Sequence, residues 1–208
     1  KQEKRGIFMS TKKIVLIIVL IILALLVGIV IWRYNVLNDL TEKYEQSTKS
    51  SNIYYHSESN NSIIDYWRKD NIVKTVLTQT SSNAQIIQWT NAETNENITV
   101  YPTNKTYSEK NSMIMFSTLP TSQFVGKDAP IFLISILPTV FISSKEYNGQ
   151  QCYCISNGGE KEYINKENGL MVYIESSSLG NAVRTYEFGI VTDEDIERPD
   201  TTGYTYQQ

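Results

Sequence analysis

The hydrophobic pattern divides the chain into one unbroken apolar run and a long region of alternating residues. Residues 14–32, IVLIIVLIILALLVGIVIW, contain no charge and no strongly polar side chain over 19 positions. As a helix at about 1.5 Å per residue, this run is about 28 Å long, which matches the hydrocarbon core of a bilayer. A soluble helix of this length would carry a polar stripe, so the pattern predicts a transmembrane helix.

The flanks of the apolar run predict its orientation. Five Lys or Arg residues precede the run, and only Arg33 follows it closely. Since an excess of Lys and Arg marks the cytoplasmic side, we expect the N-terminus inside and residues 34–208 outside. The run is longer than the apolar core of a cleaved signal peptide, and no small-x-small site follows it. The sequence therefore predicts an uncleaved signal anchor in a single-pass cell-membrane protein.

Four segments follow from this pattern. They are a basic cytoplasmic N-terminus at 1–13, the anchor at 14–32, a juxtamembrane helix or linker at 33–50 and an extracytoplasmic β domain at 51–208. In the third segment, Val36, Leu37, Leu40 and Tyr44 recur near helical spacing. This spacing predicts a helix that either continues from the membrane span or begins near Asn38 and leads into the domain.

Beyond residue 51 the hydrophobic period changes from 3.6 to 2. Short runs rich in β-branched and aromatic residues alternate with Asn- and Gly-rich turns, and Asn-Gly is the strongest short hairpin signal. This pattern predicts a mainly β domain built from an antiparallel meander. The predicted strands are 52–59, 62–69, 72–80, 84–90, 97–102, 105–108, 140–149, 150–157, 160–167, 170–177 and 182–191.

One apolar segment interrupts the predicted strands. Asp128 is placed to cap a helix with Pro130 in its first turn, and Pro138 limits the helix. Phe132, Leu133, Ile136 and Leu137 form its apolar face. Because the helix is short and apolar almost all round, we expect it to lie buried between the sheet and another element.

Charge narrows the classes of partner. From Arg33 onward the chain has 14 Lys or Arg and 21 Asp or Glu, a balance of −7. This acidic exterior excludes nucleic acid as an expected partner, because phosphate binding needs a basic face. The acidic stretch at 193–200 lacks the spacing of an EF-hand, so we predict a solvated edge or tail there.

Three stretches carry a resemblance to a known family. "YWRKDNIVKTVL" resembles a strand-turn-strand unit, "EYINKENGLMVYIES" a late hairpin and "FGIVTDEDIERPDTTGY" the closing segment of the LolA-like superfamily. This superfamily comprises the outer-membrane lipoprotein carriers and relatives such as LppX and the N-terminal domain of RseB. The resemblance covers residues 37–204 and implies a curved antiparallel sheet that forms an incomplete, half-open β-barrel with a helical insertion.

The resemblance also implies a function. Members hold acyl chains or other apolar ligands on the concave face or sense them, so the expected partners are membrane lipid or lipoprotein acyl chains. The predicted anchor differs from the cleaved signal of the carriers, which favours tethered lipid handling or envelope sensing over shuttling. The alternative is a non-enzymatic interaction or regulatory module, with a self-filled β domain that contacts another envelope protein.

We expect the ligand to lie against aromatic and apolar side chains of the helical insertion and the strands that face it. The predicted ligand-binding residues are Trp67, Trp89, Met115, Phe116, Phe132, Ile136 and Phe141.

Residues with catalytic chemistry are scarce. His56 is the only histidine, and neither a nucleophile elbow nor a phosphate-binding loop is present. We therefore predict no enzyme activity, no metal site and no cofactor. Cys152 and Cys154, two residues apart on a strand, are either core packing, a strained redox pair or a link to another chain.

Overall fold

A single long helix precedes the domain. The computed structural model describes residues 11–109, 119–177 and 180–207. Its helix α1 spans Thr11–Thr48 without interruption. Within the described residues it is the one helix long and apolar enough to cross a membrane, and none of its apolar stretch is buried. The helix predicted around residues 36–44 is therefore the second half of the same helix.

Strands dominate the remaining described residues. The first six are β1 (Asn52–Ser59), β2 (Ser62–Lys69), β3 (Ile72–Gln79), β4 (Gln85–Asn91), β5 (Glu96–Tyr101) and β6 (Thr106–Ser108). A short helix, α2 (Ile131–Ile136), follows. The others are β7 (Phe141–Tyr147), β8 (Gln150–Asn157), β9 (Glu160–Asn165), β10 (Met171–Glu175), β11 (Ala182–Phe188) and β12 (Thr205–Tyr206).

The strands form one open, curved sheet. Their order is β12-β6-β5-β4-β3-β2-β1-β11-β10-β9-β8-β7, and the two outermost strands do not pair to close a barrel. All neighbouring pairs are antiparallel except β12 with β6, which is parallel. The predicted fold class, a mainly β protein with an incomplete antiparallel barrel and an N-terminal apolar helix, is confirmed. The parallel edge strand β12 was not predicted.

The two faces of the sheet are covered differently. Successive side chains of a strand point to opposite faces. We call the face that carries Tyr55, Tyr66 and Ile155 the inner face, and the opposite face the outer face. Leu37, Leu40 and other α1 residues join Ile155 in one buried cluster. The second half of α1 therefore covers the part of the inner face near β8 and β9.

Helix α1 packs against the hairpin between β9 and β10. Its loop covers residues 166–170, so it is longer than the two-residue Asn168-Gly169 turn that the sequence predicts. Asn165 Oδ1 accepts hydrogen bonds from the amides of Glu167 and Asn168 at 2.7 and 3.3 Å, which stabilises this wider loop. Gly169 has a φ of +70° and lies so close to Leu40 and Tyr44 that a Cβ would meet the α1 backbone.

Polar contacts hold the same junction. The Ser47 hydroxyl donates to the Asn168 carbonyl at 2.8 Å, and Lys43 Nζ donates to the Lys166 carbonyl at 2.8 Å. Arg68 on β2 donates to the Thr48 carbonyl at 2.7 Å, where the last carbonyls of a helix lack partners of their own. The end of α1 is thus tied to the β9–β10 loop and to β2, which are far apart in sequence.

The prediction that the short helical insertion is buried is wrong. On α2, Ile134 and Ser135 are buried, whereas Phe132, Leu133 and Ile136 are exposed. The helix has only six residues, and α1 already occupies the inner face beside it. One side of α2 therefore packs on α1, and its predicted apolar side faces outward.

The acids of the stretch predicted to be a solvated edge or tail are mostly exposed, but the apolar residues around them are not. Val191 and Ile196 are buried, and the indole of Trp89 donates to the Ile196 carbonyl at 2.8 Å. Tyr204 packs against the cluster formed by Trp89, Ile98 and Val100. The few apolar residues between the acids cover the outer face of β4 and β5, because that face is itself apolar.

We predict that Gly169→Ala destabilises the domain far more than Gly149→Ala. Both glycines have positive φ, which costs an L-residue about 1–2 kcal/mol, but the Gly149 position is open while that at Gly169 is filled by the α1 backbone. The clash should add about 1–3 kcal/mol. Urea unfolding of the full chain in detergent, monitored by circular dichroism, measures the loss of stability in both variants. Equal losses in the two variants would contradict close packing of α1 on this loop.

Candidate ligand cavity

A cavity of about 360 Å³ lies on the inner face, between three neighbouring strands and the segment that follows residue 118. Strands β1, β2 and β11 form its floor, and residues 119–121 form one wall. The lining residues are Tyr55, Ser57, Ser59, Ser62, Ile64, Tyr66, Leu119, Pro120, Thr121, Ala182 and Arg184.

Aromatic and apolar side chains form one side of the cavity. Tyr55 and Tyr66 face each other across β1 and β2, with ring centroids 6.4 Å apart and edge to face. Leu119 packs in the same buried cluster, and Ile64 borders it. Burial raises the pKa of both tyrosines above the usual value, so these hydroxyls stay protonated at neutral pH. This side offers an uncharged surface suited to an apolar group.

A cation and three serines form the other side. Arg184 on β11 lines the cavity with Ser57, Ser59 and Ser62. The Arg184 guanidinium interacts with the Tyr55 hydroxyl. Its Nε and Nη1 atoms are shielded from solvent and have no hydrogen-bond partner among the described residues. Arg184 is half-buried, and its charge opposes the rise that burial causes in the pKa of the nearby Glu162 carboxyl. Donors that are shielded from water without a partner are costly, so an anionic group in the cavity would be stabilised there.

A buried carboxylate fixes the wall of the cavity. Glu162 on β9 is 2% exposed and accepts hydrogen bonds from the Ser122 hydroxyl and, at 3.2 Å, from the Gln123 amide. Ser122 Oγ in turn accepts from the amides of Phe124 and Val125 at 2.9 and 3.0 Å. These bonds hold the segment whose first residues, 119–121, border the cavity. Burial raises the pKa of Glu162 above its usual range, although the bonds from Ser122 and Gln123 oppose the shift.

None of the described residues that the sequence predicts as ligand contacts lines this cavity. Trp67 pairs with Tyr54 and Lys74 on the outer face, and Trp89 lies on the outer face beneath the C-terminal segment. Phe132 and Ile136 on α2 and Phe141 on β7 are exposed. Met115 and Phe116 lie outside the described residues. A ligand contact by any of these residues stays a prediction.

The lining of this cavity differs from the predicted contacts because the sequence does not show which face α1 covers. Tyr55, Ser57 and Ser59 alternate along β1, and Ser62, Ile64 and Tyr66 alternate along β2. The period of two therefore identifies both faces correctly. Trp67 and Trp89, which we expected on strands that face the helical insertion, lie on the outer face.

The two cysteines are free and buried. They lie on the outer face, where Cys154 pairs in register with Tyr163, whose ring contacts those of Tyr147 and Tyr173. Burial raises the pKa of the Cys152 thiol, which lowers the fraction of reactive thiolate. This placement favours the packing interpretation, while a redox role for Cys152 and Cys154 stays a prediction.

His56 lies away from the cavity, on the outer face. Its Nδ1 is 2.8 Å from Asp65 Oδ1, which also accepts a hydrogen bond from the Tyr54 hydroxyl at 2.7 Å. Burial and the Asp65 carboxylate raise the pKa of Tyr54. Within residues 11–109, 119–177 and 180–207, no three His, Cys, Asp or Glu side chains are grouped to hold a metal ion.

The fold and the cavity define an open curved β-sheet protein with a long N-terminal apolar helix. No family model and no curated protein matches the sequence. The chain is similar to an uncharacterized conserved protein from Thermus thermophilus, at 7% identity and a TM-score of 0.49, over 82% of this chain and 97% of that one. It is also similar to the LolA superfamily protein NE2245 from Nitrosomonas europaea, at 7% identity and a TM-score of 0.25, over 78% of this chain and 98% of that one.

We predict that Glu162→Gln changes the pH dependence of stability. Because the pKa of Glu162 is raised in the folded state, Glu162 contributes fully to the free energy of unfolding below the usual glutamate pKa. This contribution is lost as the pH rises through the raised pKa. Glutamine lacks this titration, so the variant should gain stability relative to the native chain as pH rises from about 4, near the usual glutamate pKa, to about 8. Urea unfolding across this range measures the difference, with Glu93→Gln at an exposed turn as the matched charge control. A Glu162→Gln difference that is the same at all pH values would contradict the prediction.

Proposed function

We propose that α1 anchors the protein in a cell membrane, with the β domain on the extracytoplasmic side, and that the inner-face cavity binds a lipid or another amphipathic ligand. The observation that carries the proposal is the combination of an apolar wall and a shielded cation in one cavity. Tyr55, Tyr66 and Leu119 would contact an acyl chain, and Arg184 would pair with an anionic head group.

The dimensions support a small ligand or one chain of a larger lipid. Ligand pockets range from about 300 to 1,000 Å³ and combine apolar walls with a few placed polar groups. The cavity, at about 360 Å³, falls at the lower end of that range. Residues 119–121 form one wall of the cavity, and Glu162 holds this wall through Ser122. Substitution of Glu162 therefore changes the wall without changing the strands that form the floor.

The continuity of α1 supports handling or sensing of lipid at the membrane rather than transport over a distance. The helix runs from the apolar stretch into the domain without a break. Its second half packs against the sheet through Leu37, Leu40 and Tyr44. A domain held in this way stays close to the bilayer, where lipid is the most abundant apolar ligand.

A second candidate is an interaction module that contacts another envelope protein. The observation that favours it is the filling of the inner face near β8 and β9 by α1, Phe124, Val125 and Val140. In this case the cavity would hold water, and mutations that fill it would leave function unchanged.

We predict that Ala182→Phe abolishes photolabelling of the cavity-lining peptides when the full chain is treated with a diazirine fatty acid. Ala182 lines the cavity, so a phenyl ring at this position would occupy the space of the ligand. Val183, the next residue of β11, is 36% exposed and faces the other side of the sheet. Val183→Phe is therefore the matched control and should be labelled like the native chain. Mass spectrometry of tryptic peptides measures the label.

The site of labelling decides between the two candidate functions. Label on the peptides that carry Tyr55, Tyr66 or Leu119, lost in Ala182→Phe alone, would support ligand binding in the cavity. Label confined to α1 in all three chains would show contact with bulk lipid only and would contradict the proposal. Thermal unfolding of Ala182→Phe and Val183→Phe shows whether both variants fold.

A further inference from the structure

A patch of exposed apolar side chains lies on and next to α2. Phe132 is 62% exposed and Leu133 56%, and Ile136 and Leu137 are exposed as well. We call these four residues the α2 patch. Residues 129–144 contain no charged side chain. Large apolar side chains that are exposed singly are common, but a contiguous group without charges marks a surface that contacts something apolar.

The α2 patch lies beside the point where the apolar stretch of α1 ends. The Arg33 guanidinium donates to the Leu137 carbonyl at the C-terminal end of α2, at a distance of 3.0 Å. Arg33 directly follows Trp32, the last residue of the apolar stretch. One turn earlier on the same face of α1, Val30 is half-buried, whereas its neighbours Ile29 and Ile31 are exposed. Helix α2 is therefore level with the last turn of the apolar stretch.

We propose that the α2 patch inserts into the head-group region of the leaflet that α1 leaves, as a second membrane contact of the domain. This inference rests on the proposed anchoring by α1. Interfacial helices bury an apolar face at the boundary between head groups and acyl chains. Trp32 and Tyr34, which are both exposed, are side chains of the kind that is enriched at the same depth.

Continuity with the anchor identifies the bilayer as the occupant. A surface level with the last turn of a membrane-spanning helix meets lipid before it meets any soluble partner. Among the side chains of the α2 patch, Phe132 and Leu133 are the ones placed on α2 itself with more than half of their surface free. The patch would fix the tilt of the domain on the bilayer, and so the side from which the cavity is reached.

The test measures the depth of labelled cysteines in the full chain. Phe132→Cys, Leu23→Cys and Ser81→Cys are each labelled with an NBD fluorophore and reconstituted into phosphatidylcholine nanodiscs at one chain per disc. Leu23 is in the middle of the apolar stretch, and Ser81 is in the exposed turn between β3 and β4. The native cysteines are buried, and the unsubstituted chain, treated in parallel, reports any label that they take. Leu133→Cys serves as a second probe of the patch.

Lipids that carry a doxyl quencher near the head group, or deeper in the chain, then report contact. We expect a large loss of NBD fluorescence for position 132 with the shallow quencher, for position 23 with the deep quencher, and little loss for position 81 with either. Quenching at position 23 without quenching at positions 132 and 133 would overturn the membrane contact and leave the anchor intact. No quenching at position 23 would overturn the anchor and this inference with it.

Crowding separates lipid from a second copy of the chain. If the patch pairs with another copy, the NBD emission at position 132 would resemble that of a label in water at one chain per disc. At several chains per disc the emission would shift to that of an apolar environment, without quenching by the doxyl lipids. That result would also overturn the inference. Quenching at position 132 that is equal at both loadings is the expected outcome.

Discussion

The close approach of α1 to the loop between β9 and β10 is the contact on which the rest of the structure depends. Gly169 lies against the backbone of α1 near Leu40 and Tyr44, at a distance that leaves no room for a side chain. Packing at this distance fixes the direction of the helix relative to the sheet. It thereby couples the apolar stretch of α1 to the β domain as one continuous element, so that an anchored helix would also orient the domain.

The same contact decides how the inner face is used. Leu37 and Leu40 fill the part of the sheet near β8 and β9 together with Ile155 and Ile164. Since one helix cannot cover a twelve-stranded sheet, the region near β1, β2 and β11 is left to a different covering. There the segment held by Glu162 forms a wall, and the space between wall and strands is the cavity with Arg184 at its border.

Local patterns predicted the elements well, whereas long-range packing could not be inferred from them. The period of two, with turn residues between the runs, predicted the bounds of β1, β2 and β8 without error. The loop after β9 differs from prediction because Asn165 binds its amides and Gly169 packs against α1. The lining of the cavity was not predictable, since the choice between the faces of a strand depends on where α1 docks. The outward side of α2 was mispredicted for a related reason, because hydrophobicity alone does not distinguish burial in a core from exposure beside a long apolar helix.

The most direct test of the account is native mass spectrometry of the full chain, released from lipid nanodiscs and followed by extraction and identification of the bound lipid. The account predicts near-stoichiometric retention of one amphipathic lipid with an anionic head group, because Arg184 supplies a shielded cation beside the apolar wall of Tyr55 and Tyr66. A chain that is released free of lipid, and that also fails to take up a fluorescent fatty acid, would contradict the account and leave the interaction module as the better description.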